Sequence, residues 1–468
     1  MGAIRGHVRV FYQLLVNTLL VSVTNFTVWF AITFYTYLET QSVFATGVIS
    51  GVFLVLTALT GIWFGSLVDN HPKKLMMQIS AGVSLILYVV SLVIYQLTPR
   101  EEFRNPAGVP LWILIVLLMV GVIAGNIRTI ALPTMVTALI EEDTRDRANG
   151  LVGTASGVSF LVTSVISGLL VALGGMFWVL VAAIVVLALS IVHLGLVRVP
   201  TGLTEPAAAA AAPAPAQPAN VTAATGEPAP DQPSVSKIDL RGTIRIISQV
   251  PGLTALIIFS AFNNLLGGVF MALLDAYGLS MMSVQGWGLL WGVLSTGFIV
   301  GGLLISRTGL GKNPVWLLLM VNIVCWTVTL LFPLRDSVIW LAVGLYAYML
   351  VVPYAEAAEQ TILQKVVPYE RQGRVFGFAQ SVEQAASPLT AFLIAPVAQF
   401  VFIPFMTDGA GARLIGSWFG TGAARGLALV FMLTGVAGLI ITAIALRSRP
   451  YRRLSNRYAA AQPEPVVP

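Results

Sequence analysis

Long apolar runs constrain this chain of 468 residues more than any other feature. A membrane-crossing helix needs about 20 mostly apolar residues. Twelve such runs are found, at roughly 11–38, 42–69, 74–97, 110–139, 147–172, 175–198, 252–276, 284–306, 314–333, 337–364, 374–404 and 425–447. Only α-helices and closed barrels satisfy every backbone N–H and C=O in lipid. These runs are continuous rather than alternating, so they predict helices. Charged residues make up 10% of the chain against about 25% in an ordinary soluble domain, which excludes a soluble core. The first run follows Arg5 and Arg9, exceeds a secretory apolar core and has no small-residue cleavage site nearby, so it is expected to remain as a helix. Cys325 stands alone, and no disulfide framework is possible.

The net charge of +6 suggests a nucleic-acid partner only until each cation is placed along the chain. With the N-terminus inside, twenty of the 26 Lys and Arg residues fall on one side of the membrane. Five (Arg100, Arg104, Arg335, Arg413 and Arg425) fall on the other, and Arg128 lies within a run. Basic loops stay on the cytoplasmic side, so the expected protein is multi-pass, with both termini cytoplasmic, in a bacterial-type plasma (inner) membrane. The basic excess is a topology signal, and no nucleic-acid partner is expected.

A segment rich in Ala, Pro and Gln, 201–236, has almost no large apolar side chain and is expected to be disordered. Beyond it, Asp239-Leu-Arg-Gly-Thr-Ile-Arg-Ile-Ile suits a short helix on the inner leaflet. The chain then divides into a six-helix half (1–198), a linker with an interfacial helix (199–250), a second six-helix half (251–447) and a cytoplasmic tail (448–468). A loop is expected over 405–424. The halves echo each other. Gly65-Ser-Leu-Val-Asp69-Asn-His-Pro-Lys73-Lys74 follows the second run, and Gly302-Leu-Leu-Ile-Ser306-Arg307-Thr-Gly309 follows the eighth. Asp143-Thr-Arg-Asp-Arg147-Ala-Asn-Gly150 opens the fifth run as Glu370-Arg-Gln-Gly-Arg374-Val-Phe-Gly377 opens the eleventh. Internal repeats of this kind mark transporters.

These loops resemble the major facilitator superfamily over the whole chain apart from the linker and tail. The family's Gly-x-Leu-x-Asp-Arg-x-Gly-Arg-Lys loop is matched at Gly65, Leu67, Asp69, Lys73 and Lys74, with Asn70 and Pro72 as departures; the second copy keeps Gly302, Leu304, Arg307 and Gly309 but has Ser306 in place of Asp. The resemblance implies an all-α fold of twelve transmembrane helices in two pseudo-symmetric bundles, and a cytoplasmic gate at Gly65, Asp69, Lys73, Lys74, Arg307, Arg147 and Arg374. Gln364-Lys-Val-Val-Pro-Tyr-Glu-Arg-Gln-Gly373-Arg374-Val-Phe is similar to the branch of enterobactin exporters and macrolide-efflux proteins, which implies export. Helix five carries Ser164-Val165-Ile-Ser-Gly168-Leu169 where drug antiporters of the family carry Gly-Pro-x-x-Gly-Gly.

Ionisable groups inside the membrane are costly and functional by default. Glu356 and Glu359 stand three apart on the tenth run, Glu383 on the eleventh and Arg128 on the fourth. Counting about 1.5 Å per residue, Glu356 and Glu383 lie equally deep, about 13 Å from Lys365 and Arg374 respectively. Glu356 is the expected proton carrier, Glu383 the second, and Arg128 the competing charge. Glu39 and Asp275 sit at outer helix ends. Asn25, Asn263, Asn264, Asn126 and Tyr354 are candidates for the substrate cavity, with Trp287, Tyr346 and Tyr348 as apolar surface. Without a zinc spacing, phosphate loop or nucleophile elbow, neither an enzyme nor a cofactor is expected, and a proton gradient is the expected energy source. The expected function is export of a small amphipathic compound, such as a drug or siderophore, by proton antiport from a monomer. Alternatives are a nutrient importer or facilitator and a lysophospholipid flippase.

Overall fold

A computed structural model describes residues 2–40, 43–200 and 240–460, so the expected disorder over 201–236 lies outside the described residues. Helices dominate, as the apolar runs require. We number the long ones α1 (Gly2–Thr40), α2 (Val43–Asn70), α3 (Lys73–Leu97), α4 (segments Val109–Gly125 and Ile127–Leu139, meeting at Asn126), α5 (Arg145–Gly174) and α6 (Met176–Leu196). The second half holds α7 (Leu253–Met281), α8 (Val284–Thr308), α9 (Pro314–Leu331), α10 (Val338–Val366), α11 (Gln372–Val397) and α12 (Ala423–Arg447). Eleven spans among the described residues are apolar and long enough to cross a membrane; α5, whose first turn carries Arg145, Asp146 and Arg147, supplies the twelfth long helix.

The exterior is apolar, and the interior combines apolar packing with buried polar side chains. Leu59, Ile86, Leu189, Leu289, Ile339 and Ile444 face outward, whereas Asn17, Ser80, Ser84, Thr134 and Thr163 are buried. These four hydroxyls donate to helix carbonyls, as Ser84 Oγ does to Gly121 O at 2.7 Å; in lipid an unmet polar group costs several kcal/mol. The halves repeat their packing: α3 holds α4 and α6, α9 holds α10 and α12, and α1–α5 matches α7–α11. Between the halves run two seams, α2 against α11 and α5 against α8.

Three regions depart from expectation. The α-helix α11 stops at Val397 and passes through a π-helical turn (Ala398–Phe402). The expected loop over 405–424 contains two short helices, Ile403–Thr407 and Ala410–Phe419. Arg425 fixes them: it is buried, donates to Pro333 O at 2.9 Å, lies 3.6 Å from Asp336 and covers the Phe419 ring at 5.2 Å. The tail also forms a docked helix, Arg449–Ala460. Its Tyr451, Leu454 and Tyr458 are buried and share one helical face, while Arg449, Arg452, Arg453 and Arg457 are exposed. The linker helix Leu240–Gln249 buries Thr243 and Ile247 and exposes Arg241 and Arg245, matching its amphipathic pattern.

Candidate transport site and gate

Both seams close at the basic end of the bundle, the end that carries the termini and the α2–α3 and α10–α11 turns. Small residues bring α2 and α11 together: a Cβ on Gly65 would lie 3.1 Å from the Gly377 Cα and would strike the Gly373 carbonyl. That approach places the Asp69 carboxylate on the exposed amides of the first turn of α11. Gly373 N donates to Oδ1 at 2.6 Å and Arg374 N to Oδ2 at 2.9 Å. An anion is favoured at a helix N-terminus because the unsatisfied amides there carry partial positive charge. The Arg374 guanidinium adds a contact 3.7 Å from Asp69 and donates to Asn70 Oδ1 at 3.3 Å. Lys73 is buried with its ammonium 3.4 Å from the Asp69 carbonyl and 5.4 Å from the Tyr369 ring centre, whereas Lys74 caps the carbonyls of Gly195 and Val197 within its own half.

The second seam has the same glycine contact and a different carboxylate. A Cβ on Gly302 would lie 2.8 Å from Gly150 O. Ser306 occupies the place equivalent to Asp69 and, among the described residues, bonds only its own helix, at Leu303 O. Asp146, at the start of α5, instead accepts from Leu310 N at 2.6 Å just beyond α8. Arg147 and Arg307 are exposed here. A buried amide cluster completes the closure: Asn149 on α5 donates to Thr361 Oγ1 and Gln364 Oε1 on α10, and Gln364 donates to Pro133 O on α4. Lys365 reaches Glu142 at 2.7 Å across the halves. Asn149, Gln364 and Glu142 were missed as gate residues by sequence reasoning. Asn149 and Gln364 lie within the quoted motifs, but nothing in one chain says that an amide at a helix end has a partner in the other half.

Above this closure lies a chamber of about 650 Å³ lined by both halves, through α1, α4, α5, α8, α10 and α11. Phe26, Phe160, Trp291 and Phe298 form much of its wall; Glu356 and Gln384 stand on the second-half side. A deeper chamber of about 460 Å³ continues toward the basic end and brings together Arg128, Glu356, Glu359, Glu383 and Asn264. Its floor carries an inter-half hydrogen bond from Gln380 Nε2 to Thr129 Oγ1 at 3.0 Å.

The charged groups that line this chamber differ in their hydrogen-bond partners. Glu359 accepts from Ser260 Oγ at 2.6 Å and lines the deeper chamber together with Glu383. Two neighbouring carboxylates in one desolvated site repel each other, and sharing a proton relieves that repulsion. The Glu383 oxygen Oε1 is buried without a hydrogen bond among the described residues. Glu356, one turn away on α10, opens onto the chamber. Arg128 borders the deeper chamber but directs its terminal nitrogens into the first half, to Asn17 Oδ1 at 2.7 Å and Met77 O at 2.8 Å. Both acceptors are neutral and Nε has no hydrogen bond among the described residues, so the positive charge is held beside the deeper chamber but its terminal nitrogens point away from Glu356.

Several expected cavity residues face elsewhere. Asn25 is buried and accepts from Tyr88 at 2.9 Å. Asn126 lies at the α4 break, where its carbonyl accepts from Thr129. Tyr354 lines neither chamber. Asn263 accepts from Trp326 at 3.0 Å and borders a smaller pocket of about 220 Å³ inside the second half. Asn264 reaches the deeper chamber while donating to Ser260 O. Trp287 is buried on Asp275 and Glu39 pairs with Arg100, so both outer-end acids have partners.

Solved structures share this architecture. A bacterial homologue of the iron transporter ferroportin, in its outward-facing state, aligns with TM-score 0.64 at 14% identity, covering 93% of this chain and 98% of that one. The proton:xylose symporter XylE aligns with TM-score 0.61 at 12% identity over 96% and 99% of the two chains. The human organic anion transporter MFSD10 aligns with TM-score 0.57 at 12% identity over 92% and 99%. Comparison with curated proteins gave no sequence match. The sequence profile of the Major Facilitator Superfamily matches residues 14–391, and with twelve long helices arranged in two repeated halves the chain belongs to that superfamily of transporters.

Proposed function

We propose that this transporter exports a small amphipathic compound by proton antiport, with the Glu359–Glu383 pair as the proton site. The observation that carries the reading is that those two acids, on helices α10 and α11 of one half, line the same buried chamber between the halves. A proton held there is stable while the pair is dry and is released when the chamber opens to a more alkaline side. The basic end is the cytoplasmic face, and the chain works as a monomer in a plasma membrane. Alternating access then consists of breaking the two seams at the basic end so that substrate enters from the cytoplasm, and remaking them after release. Proton carriage thus shifts from Glu356, favoured by sequence, to its neighbour one turn along.

The test uses proteoliposomes with an imposed pH gradient. Glu359→Gln and Glu383→Gln keep side-chain shape and remove titration, so each should abolish accumulation against a gradient while leaving downhill exchange. Uphill transport at the parental rate by both variants would show that neither acid couples transport.

A further inference from the structure

The upper chamber has one charged lining residue among the described residues, and it is Glu356. Its carboxyl group opens onto the chamber, and no hydrogen bond or ion pair engages it among the described residues. The surrounding wall is mostly apolar and aromatic, with Phe26 and Phe160 stacked at 6.0 Å and Trp291 and Phe298 nearby. Hydroxyls of Thr18, Ser22, Ser156 and Ser159 face it from the first half, and hydroxyls compensate charge of either sign only weakly. Arg128 lines only the deeper chamber, which Glu356 also borders, and it directs its terminal nitrogens into the first half, to Asn17 Oδ1 and Met77 O.

We infer that the upper chamber binds a lipophilic organic cation, with Glu356 as its counter-ion and the aromatic wall around its apolar body. The volume is that of a drug-sized site. An isolated charge in apolar surroundings is strongly disfavoured unless paired. A monovalent cation satisfies the one unpaired acid and gains from ring faces as well. A neutral ligand leaves that acid without a partner, and an anion adds repulsion. The inference deepens the export reading, on which it rests only for coupling. A cation arriving at Glu356, three residues from Glu359 on the same helix, repels the proton shared by Glu359 and Glu383. Substrate loading and proton release are thereby linked by electrostatics alone.

Tetraphenylphosphonium and tetraphenylborate share shape and differ in the sign of their charge, which makes them suitable probes for the full chain in nanodiscs of zwitterionic lipid. The cation should bind saturably, and the borate should not displace it. Glu356→Gln should weaken cation binding by about tenfold or more, and Glu356→Asp by much less. Thermal unfolding of each variant checks the fold. Val352→Lys offers an independent route: it places an ammonium one turn before Glu356 on the same chamber wall and should also abolish cation binding. Unchanged tetraphenylphosphonium affinity in both Glu356→Gln and Val352→Lys, or equal competition by tetraphenylborate, would overturn the inference. The proteoliposome assay separates the two readings. Cation binding at Glu356 without response to a pH gradient sinks the antiport reading alone. Gradient-driven export of a neutral solute without tetraphenylphosphonium binding sinks the cation inference alone.

Discussion

The two seams between the halves are built from the same parts and closed by different chemistry. In α2–α11, Gly65 meets Gly373 and Gly377, and a carboxylate at the end of α2 reaches forward onto the start of α11. In α5–α8, Gly302 meets Gly150, but the carboxylate sits at the start of α5 and reaches back to the turn after α8. Close packing is thus repeated and the charge is not. Asp69 neutralises first-turn amides of a long helix and draws in Arg374, so it has the stronger electrostatic role. Asp146 accepts one amide proton from the other half, that of Leu310, and one from its own neighbour Arg147. The lesson is that a duplicated fold preserves the geometric requirement, helix approach, more strictly than the groups that exploit it.

The largest effects should come from the shared part. Gly65→Leu and Gly302→Leu each force a side chain into backbone, and overpacking costs about 1–3 kcal/mol. Both should bias the protein toward opening at the basic end, measured as faster labelling of a cysteine placed at Thr361, and both should cut transport severely. Gly82→Leu on α3, where nothing lies within 4 Å of the new Cβ, is the control and should behave as the parent. Damage from Gly65→Leu alone would break the equivalence of the seams.

Charge removal comes next and should separate them. Asp69→Asn keeps a capping side chain but loses the charge, a change of about 0.3–2 kcal/mol at a helix N-terminus. Turnover should fall several-fold and substrate affinity should change less, because the chamber is untouched. Asp146→Asn should have a smaller effect, having no guanidinium partner in the other half to release. Equal losses in the two variants would mean that hydrogen-bond number, not charge, sets the strength of each seam.

Much of this was legible beforehand. Helix number and the pairing of Gly150 with Gly377 follow from apolar length and internal repetition, which are local properties. Glu356, Glu359 and Glu383 were visible because acids within apolar runs are rare. What sequence could not assign was their partners: Glu356 and Glu383 share a counted depth, but it is Glu359 that meets Ser260 on α7, because rotation about the α10 axis decides which acid faces inward to the second half. Repeat position placed Arg128 near Glu356, and the two do border one chamber, but it does not show that the terminal nitrogens of Arg128 bond Asn17 and the Met77 carbonyl. The tail helix was hidden by composition, its four arginines masking the Tyr451, Leu454 and Tyr458 face that docks on the second half.

An ion pair reinforces the second seam from outside. Lys365 pairs with Glu142 just before α5 and covers the Tyr458 ring of the tail helix at 4.4 Å. Glu142 is half exposed, so the pair contributes about 0.2–1 kcal/mol. Lys365→Met should accelerate opening at the basic end about twofold at low salt, with the difference from the parent shrinking as salt is raised. A salt-independent effect would assign the role of Lys365 to its stem packing on Tyr458.

The smallest effect is the most diagnostic of the comparison. Ser306→Asp installs in the second seam the carboxylate that the first one has, one turn beyond Gly302. If position alone made Asp69 effective, this variant should strengthen closure. The structure argues otherwise, because Asp146 already occupies the start of α5 with its own carboxylate. A second negative charge there gains little from the same amides and repels the first, by a few tenths of a kcal/mol at a partly exposed site. Ser306→Asp should therefore open the basic end slightly faster than the parent. In an Asp146→Asn background the sign should reverse, since the introduced carboxylate then has the helix start to itself. Closure measured by cysteine labelling in the single and double variants tests this directly, and an absence of coupling between positions 146 and 306 would show that the two carboxylates do not compete for one helix end.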